Sequence, residues 1–263
     1  MQTANTKANL SVSLIQTDLH WQDTIANLNM LKEKIQGLSG KTDLVILPEM
    51  FSTGFSMNPE KYAEDWPGKT LQWMLLHSEN SELAICGSIM VKENGQFYNR
   101  FVWTEPSGRV FTYDKRHLFR MGGEHDIYNG GNEKLIIEYM GWKIVPFICY
   151  DLRFPVWSRN TTNYDFALYV ANWPAARSAV WQKLLMARAI ENQCYVAGVN
   201  RVGTDGNRID YSGNSLLIDA RGEIIHELTG QEEFTYTLES SLLEEFREKF
   251  PVFLDADKFT IEK

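Results

Sequence analysis

The chain has 263 residues, an apolar fraction of 44% and a net charge of −8. That length suits one large globular domain with a core that needs neither disulfides nor metals to staple it. The acidic balance gives no electrostatic reason to expect nucleic acid as a partner, because phosphate binding needs a surplus of Lys and Arg on some face; a local basic patch stays open, but the densest basic stretch is only Lys115-Arg116-His117.

The opening residues, Met1 to Lys7, lack the basic-then-apolar order of a secretory leader. Residues 10–15 (LSVSLI) alternate apolar and polar and predict a strand. Residues 24–35 carry Ile25, Leu28, Leu31 and Ile35 at helical spacing. Residues 44–47 (LVIL) form a short buried strand that stops at Pro48, which has no N–H to donate to a ladder. Residues 83–91 and 97–104 read as a hairpin turning through Glu93-Asn94-Gly95-Gln96. Further strands are predicted over 141–150, 166–171, 195–200, 215–220 and 223–227. Residues 179–193 are rich in Leu, Met, Ala and Glu and predict the clearest helix, and a short acidic helix covers 241–249. No repeat, low-complexity tract or Pro/Gly/Ser-rich linker divides the chain, so residues 1–263 read as a single domain. Buried strands mixed with amphipathic helices imply a layered α/β fold, and the adjacent strand pairs speak against strict alternation.

The longest apolar runs are of strand length, far short of the roughly 18 residues of a membrane span. The three cysteines, Cys86, Cys149 and Cys194, are odd in number and widely spaced, which makes a poor disulfide framework. There is no CxxC pair and the five histidines are scattered, so no metal site is expected. A reducing cytoplasm is the expected compartment.

Cys149 ends an apolar strand just before a predicted turn and helix. A nucleophile on such an elbow stands at the rim of a sheet. The backbone N–H that follows it, near Tyr150, can then face a developing oxyanion, and a helix beginning there would favour the thiolate. Glu49 ends the strand at 44–47, where partial burial would raise its proton affinity and prepare it to take and return protons. A Lys such as Lys115 beside two carboxylates stays protonated and can stabilise an oxyanion. Glu124 follows in Gly122-Gly123-Glu124-His125. Taken singly, each has a plain structural reading: a small core cysteine, a solvated loop Glu, surface charges.

Together they form a pattern. Leu47-Pro48-Glu49, Lys115-Arg116-His117-Leu118 and Ile148-Cys149-Tyr150-Asp151-Leu152-Arg153-Phe154-Pro155 resemble, in order and rough spacing, the three signature segments of the nitrilase (carbon–nitrogen hydrolase) superfamily. The resemblance runs from about Val12 to about Leu228. It implies a four-layer αββα sandwich, commonly paired with a second subunit as a homodimer or higher homo-oligomer. It also implies a Glu49–Lys115–Cys149 triad with Glu124 as a second Glu, working without a cofactor. Within the superfamily, Phe51 to Ser56, Met121 to His125, Tyr150 to Asn160, Asn172-Trp173-Pro174 and Phe250 to Asp257 are similar to the omega-amidase branch. That branch hydrolyses the side-chain amide of 2-oxoglutaramate through a cysteine thioester.

Such a substrate carries a distal carboxylate, for which Arg120, Arg153 and Arg177 are candidate bidentate partners. Phe55 and Trp173 are candidate pocket walls, with core packing as their plain alternative. A nitrilase acting on a C≡N bond with the same thiol stays open, as does a catalytically silent interaction module. A Cys–His protease is disfavoured because its signatures are missing. Cys86 and Cys194 are expected to be sluggish buried thiols.

Overall fold

The computed structural model describes residues 7–262. In chain order the strands begin with β1 (Leu10–Gln16), β2 (Leu44–Ile46), β3 (Glu64–Asp65), β4 (Ala84–Glu93), β5 (Gln96–Thr104), β6 (Val110–Asp114) and β7 (Ile137–Tyr139). They continue with β8 (Trp142–Ile148), β9 (Phe166–Ala171), β10 (Tyr195–Asn200), β11 (Val202–Thr204), β12 (Asp210–Ser212), β13 (Ser215–Ile218), β14 (Ile224–Leu228) and β15 (Glu232–Leu238). The α-helices are α1 (Thr24–Leu38), α2 (Pro59–Tyr62), α3 (Lys69–Ser81), α4 (Glu124–Ile127), α5 (Pro155–Ser158), α6 (Ser178–Asn192) and α7 (Ser240–Lys249).

Two mixed sheets stack face to face. One runs β15-β1-β2-β4-β5-β6, with β3 beside β4, and the other runs β14-β13-β10-β9-β8-β7. The period of two in β1 and β2 explains how the layers form. Leu10, Val12, Leu14, Leu44 and Ile46 join Trp103, Trp142, Phe166 and Leu168 in the core that both sheets share. The opposite face presents Ile15, Val45 and Ile85 to Leu31 and Ile35 of α1 and Leu71 and Met74 of α3. On the far side, Trp181, Leu185 and Ala189 of α6 pack against the second sheet. The result is a four-layer αββα sandwich. Gly198 on β10 lets α6 approach this closely: a Cβ there would lie 2.3 Å from Leu185 Cδ1.

Several expected elements coincide with the structure. The strand at Phe166–Ala171 has the predicted bounds, and α6 is displaced by one residue at each end. The predicted hairpin is β4–β5, with Asn94 and Gly95 both at positive φ (52° and 78°), the backbone that a two-residue turn requires. The turn and helix predicted after the apolar strand that leads to Cys149 are the short 3-10 turn Cys149–Arg153 and α5. One difference bears on the site. Glu49 is fully buried, not partly.

Candidate active site

Two strands, one from each sheet and each paired in parallel with a neighbour, lead into the site. After β2 the chain passes Leu47 and Pro48 to Glu49. Met50 N–H and Phe51 N–H donate to the hydroxyl and carbonyl of Ser88, which holds this loop against β4. After β8 the chain turns at Cys149 with φ 44°, a left-handed conformation that a non-glycine residue adopts at a cost of about 1–3 kcal/mol. Cys149 is of intermediate exposure as a residue. Lys115 follows β6. Its N–H donates to Asn99 O (3.0 Å), and its carbonyl accepts from Gly131 N (3.0 Å). Glu124 opens α4.

These four residues meet. Lys115 Nζ donates to Glu49 Oε1 (2.9 Å) and to both oxygens of Glu124 (2.9 and 3.0 Å). All three charged side chains are at most 1% exposed. Glu49 is clamped further by Asn99 Nδ2 on Oε1 (2.7 Å) and by the backbone N–H of Asn172 on Oε2 (2.7 Å). Asn172 Nδ2 also donates to the Glu49 carbonyl (2.6 Å). Glu124 Oε2 accepts from Phe119 N (2.5 Å).

The electrostatics follow from burial. Desolvation alone would discharge Lys115, but Glu124 and Glu49 outweigh it and hold the ammonium well above its ordinary range. Burial also lifts Glu124, with Lys115 opposing and Glu49 adding to the rise. The Cys149 thiol is pushed well up, by burial first and by the Glu49 carboxylate next, while Lys115 pulls the other way. This reverses the expectation of a favoured thiolate. The 3-10 turn is too short to act as a helix N-terminus, and two carboxylates stand nearby.

The adjoining pocket is lined by Phe55, Phe119, Tyr150, Arg153, Trp173 and Arg177, together with Ile209 and Tyr211. The Phe55 ring lies 5.3 Å from Lys115 Nζ. Trp173 is fixed by Nε1–H donation to Arg177 O (2.8 Å). Arg153 lies over the Trp173 ring (5.0 Å) and Arg177 over the Phe119 ring (5.3 Å). Neither guanidinium has a carboxylate partner among the described residues. Arg120 is exposed and is not part of this lining. Asn99, Ile209 and Tyr211 are additions that sequence reasoning did not single out, and Asn172 was quoted there only within the Asn172-Trp173-Pro174 segment, with no role attached. The signal for Asn172 was its place directly after an apolar strand, the same signal that marked Glu49. Cys86 and Cys194 are buried, and burial raises both thiols, that of Cys194 to about 12. Among the described residues no group of His, Cys, Asp and Glu side chains is placed to hold a metal ion, and no helix is long and apolar enough to cross a membrane.

A sandwich of two sheets with a thiol, a carboxylate and an ammonium at one rim has the parts for acyl transfer to sulfur. The class this defines is a hydrolase of carbon–nitrogen bonds. The carbon-nitrogen hydrolase family model matches residues 11–248, and the chain belongs to that family. It is 48% identical over 256 residues to the omega-amidase YafV of Escherichia coli, covering 96% of this chain and 98% of that protein. It is 34% identical over 255 residues to the 2-oxoglutaramate amidase of Bacillus subtilis, covering 94% and 98%. The crystal structure of XC1258 from Xanthomonas campestris, a CN-hydrolase superfamily protein with an arsenic adduct in its active site, superposes with a TM-score of 0.95. It is 42% identical, and the match covers 97% of this chain and all of that one.

Proposed function

We propose that the chain is an omega-amidase that hydrolyses the side-chain amide of 2-oxoglutaramate, and of similar 2-oxo acid omega-amides, to the dicarboxylic acid and ammonia. The observation that carries this reading is the contact of Lys115 with both Glu49 and Glu124 beside the Cys149 thiol, in a pocket with two unpaired arginines. The omega-amidase and 2-oxoglutaramate amidase relatives support the choice of substrate.

In this reading Glu49 takes the thiol proton as sulfur attacks the amide carbonyl. A base in place is what a thiol with a raised pKa needs. Lys115 and the backbone N–H of Tyr150 stabilise the tetrahedral oxyanion. Glu49 returns the proton to nitrogen, the C–N bond breaks, ammonia leaves and a thioester remains. Glu49 then takes a proton from water, whose oxygen attacks the thioester. The C–S bond breaks and the proton goes back to sulfur. Glu124 holds Lys115 in place. Phe55 and Trp173 wall the chain of the substrate, and Arg153 and Arg177 grip its distal carboxylate. No cofactor takes part.

The protein works as one domain in the cytoplasm, in keeping with its unpaired cysteines, on a small-molecule amide rather than nucleic acid or membrane. It pairs with itself. Val156, Ile190, Phe250 and Leu254, apolar and exposed, support a homodimer, which sedimentation would test.

Acid-quenching the enzyme during turnover of 2-oxoglutaramate and weighing its peptides tests the chemistry. An acyl group on the Cys149 peptide is expected. Steady turnover with no adduct there, at any quench time, would contradict the thioester route.

A further inference from the structure

Asp151 lies at the junction of the nucleophile turn and the lysine loop, and it is fully buried. Its carboxylate accepts four hydrogen bonds. Oδ2 takes the Ile148 N–H (3.0 Å) and the Tyr113 hydroxyl (2.8 Å). Oδ1 takes the His117 N–H (2.9 Å) and His117 Nδ1 (2.8 Å). The Tyr113 hydroxyl in turn accepts from Trp157 Nε1 (3.0 Å) and Arg116 N (3.3 Å). Burial and the Asp151 charge keep that phenol protonated, so it stays a donor to the carboxylate. The His117 ring stacks on Phe154 at 3.8 Å, and Phe154 N–H donates to the Asp151 carbonyl (3.0 Å).

The chain positions of these donors give the arrangement its meaning. Tyr113 and His117 flank Lys115 on either side, so one carboxylate holds both ends of the segment that carries the ammonium. Ile148 is bonded to Cys149, so the same carboxylate also fixes the residue from which the strained turn departs. From these contacts we propose that Asp151 is a positioning residue that sets the distance between the Cys149 sulfur and the Lys115 ammonium. It touches neither reacting group. It acts through Tyr113, His117 and Ile148, and the inference rests on reading Cys149 as the nucleophile.

Asp151→Asn tests this with little change in shape. The amide oxygen can still accept from His117. The NH2 group, however, would face the Ile148 N–H, a donor that cannot rotate away. Lys115 opposes the rise of the thiol pKa, so a loosened Lys115 leaves less thiolate at neutral pH. We expect Asp151→Asn to lower kcat about 100-fold, since misplacement by about 1 Å costs that much, with KM held within about twofold. Alkylation of Cys149 by iodoacetamide should slow about 10-fold. Tyr113→Phe removes one contact, keeps the ring, and should lower kcat about 10-fold. Melting curves establish that each variant is folded at the assay temperature.

If Asp151→Asn does not fold, Tyr113→Phe decides. Wild-type kcat in folded Tyr113→Phe, or a loss in either variant seen only in KM, overturns the proposal. If the parent enzyme ignores 2-oxoglutaramate, the substrate reading fails on its own. The ratio of alkylation rates then decides for Asp151, and an unchanged ratio overturns it.

Discussion

The space between the two sheets and the rim at their edge are built by opposite rules. Between the sheets, Leu14, Ile46, Trp103, Trp142 and Phe166 are fully buried and apolar. Each is stabilising through removal of apolar area from water, about 25 cal/mol per Å². At the rim, Glu49, Lys115 and Glu124 are just as buried but charged. Desolvating such groups costs several kcal/mol per ion, about offset when paired geometry is good. The side-chain oxygens of Asn99 and Asn172, beside Glu49, are buried and accept no hydrogen bond among the described residues. The comparison teaches that the sandwich interior supplies the stability with which the rim holds a left-handed cysteine and three desolvated charges in place.

The largest expected effect separates the two regions most sharply. Cys149→Ala should abolish ammonia release while leaving the melting temperature near that of the parent, because it removes one sulfur and no ion pair. Lys115→Met should act on both regions at once. It leaves two buried carboxylates without their cation, so stability should fall by about 3–5 kcal/mol in denaturant titrations. Residual activity should be about 10³-fold down, the scale of a lost oxyanion donor. Leu10→Ala is the interior counterpart: a loss of about 2–5 kcal/mol, with kcat per folded molecule unchanged. A fall in kcat there would break the separation of interior from rim.

Smaller effects belong to the pocket mouth. Arg153→Ala and Arg177→Ala should each raise KM for 2-oxoglutaramate about 10-fold or more, as expected of a lost charged hydrogen bond, and change it little for an uncharged short amide. The smallest concerns pH. Glu124 is held above the ordinary carboxylate range, chiefly by burial. As pH falls it therefore protonates early and releases part of its hold on Lys115. The acid limb of kcat/KM should lie above the normal Glu range and move to lower pH in Glu124→Gln. The limb staying where it was would remove Glu124 from the account.

Legibility in the sequence followed the same division. Segments buried by simple patterning were readable: the alternating β1, the apolar β2 and β9, the hairpin at Asn94-Gly95, and α6. Helix α3 had a place in the coarse order but no bounds, because its buried face includes His77, Ser78 and Ser81, which blur the apolar period. Strand β15 (EEFTYTL) also escaped, since only Leu238 in it is buried and it pairs along the sheet edge. The stacking of the two sheets came from resemblance, as pattern alone leaves that choice open. At the rim, Glu49 stood out because it ends an apolar strand, whereas Lys115 and Glu124, each a plain surface charge when taken singly, were picked out by the joint pattern and the resemblance. Asn99 did not stand out, because nothing in a lone polar residue shows that its partner is a buried carboxylate many residues away, and Asn172 and Asp151 entered only inside segments quoted for the resemblance, with no role attached.

In the proposed function, Cys149 cleaves the omega-amide of a 2-oxo dicarboxylate. The most direct test is ammonia release from 2-oxoglutaramate, run beside glutamine, asparagine and a simple nitrile, with the parent and with Cys149→Ala. The account predicts turnover of 2-oxoglutaramate far above the other three, absent in the variant. Equal or greater turnover of another substrate, or activity that survives loss of the thiol, would contradict it.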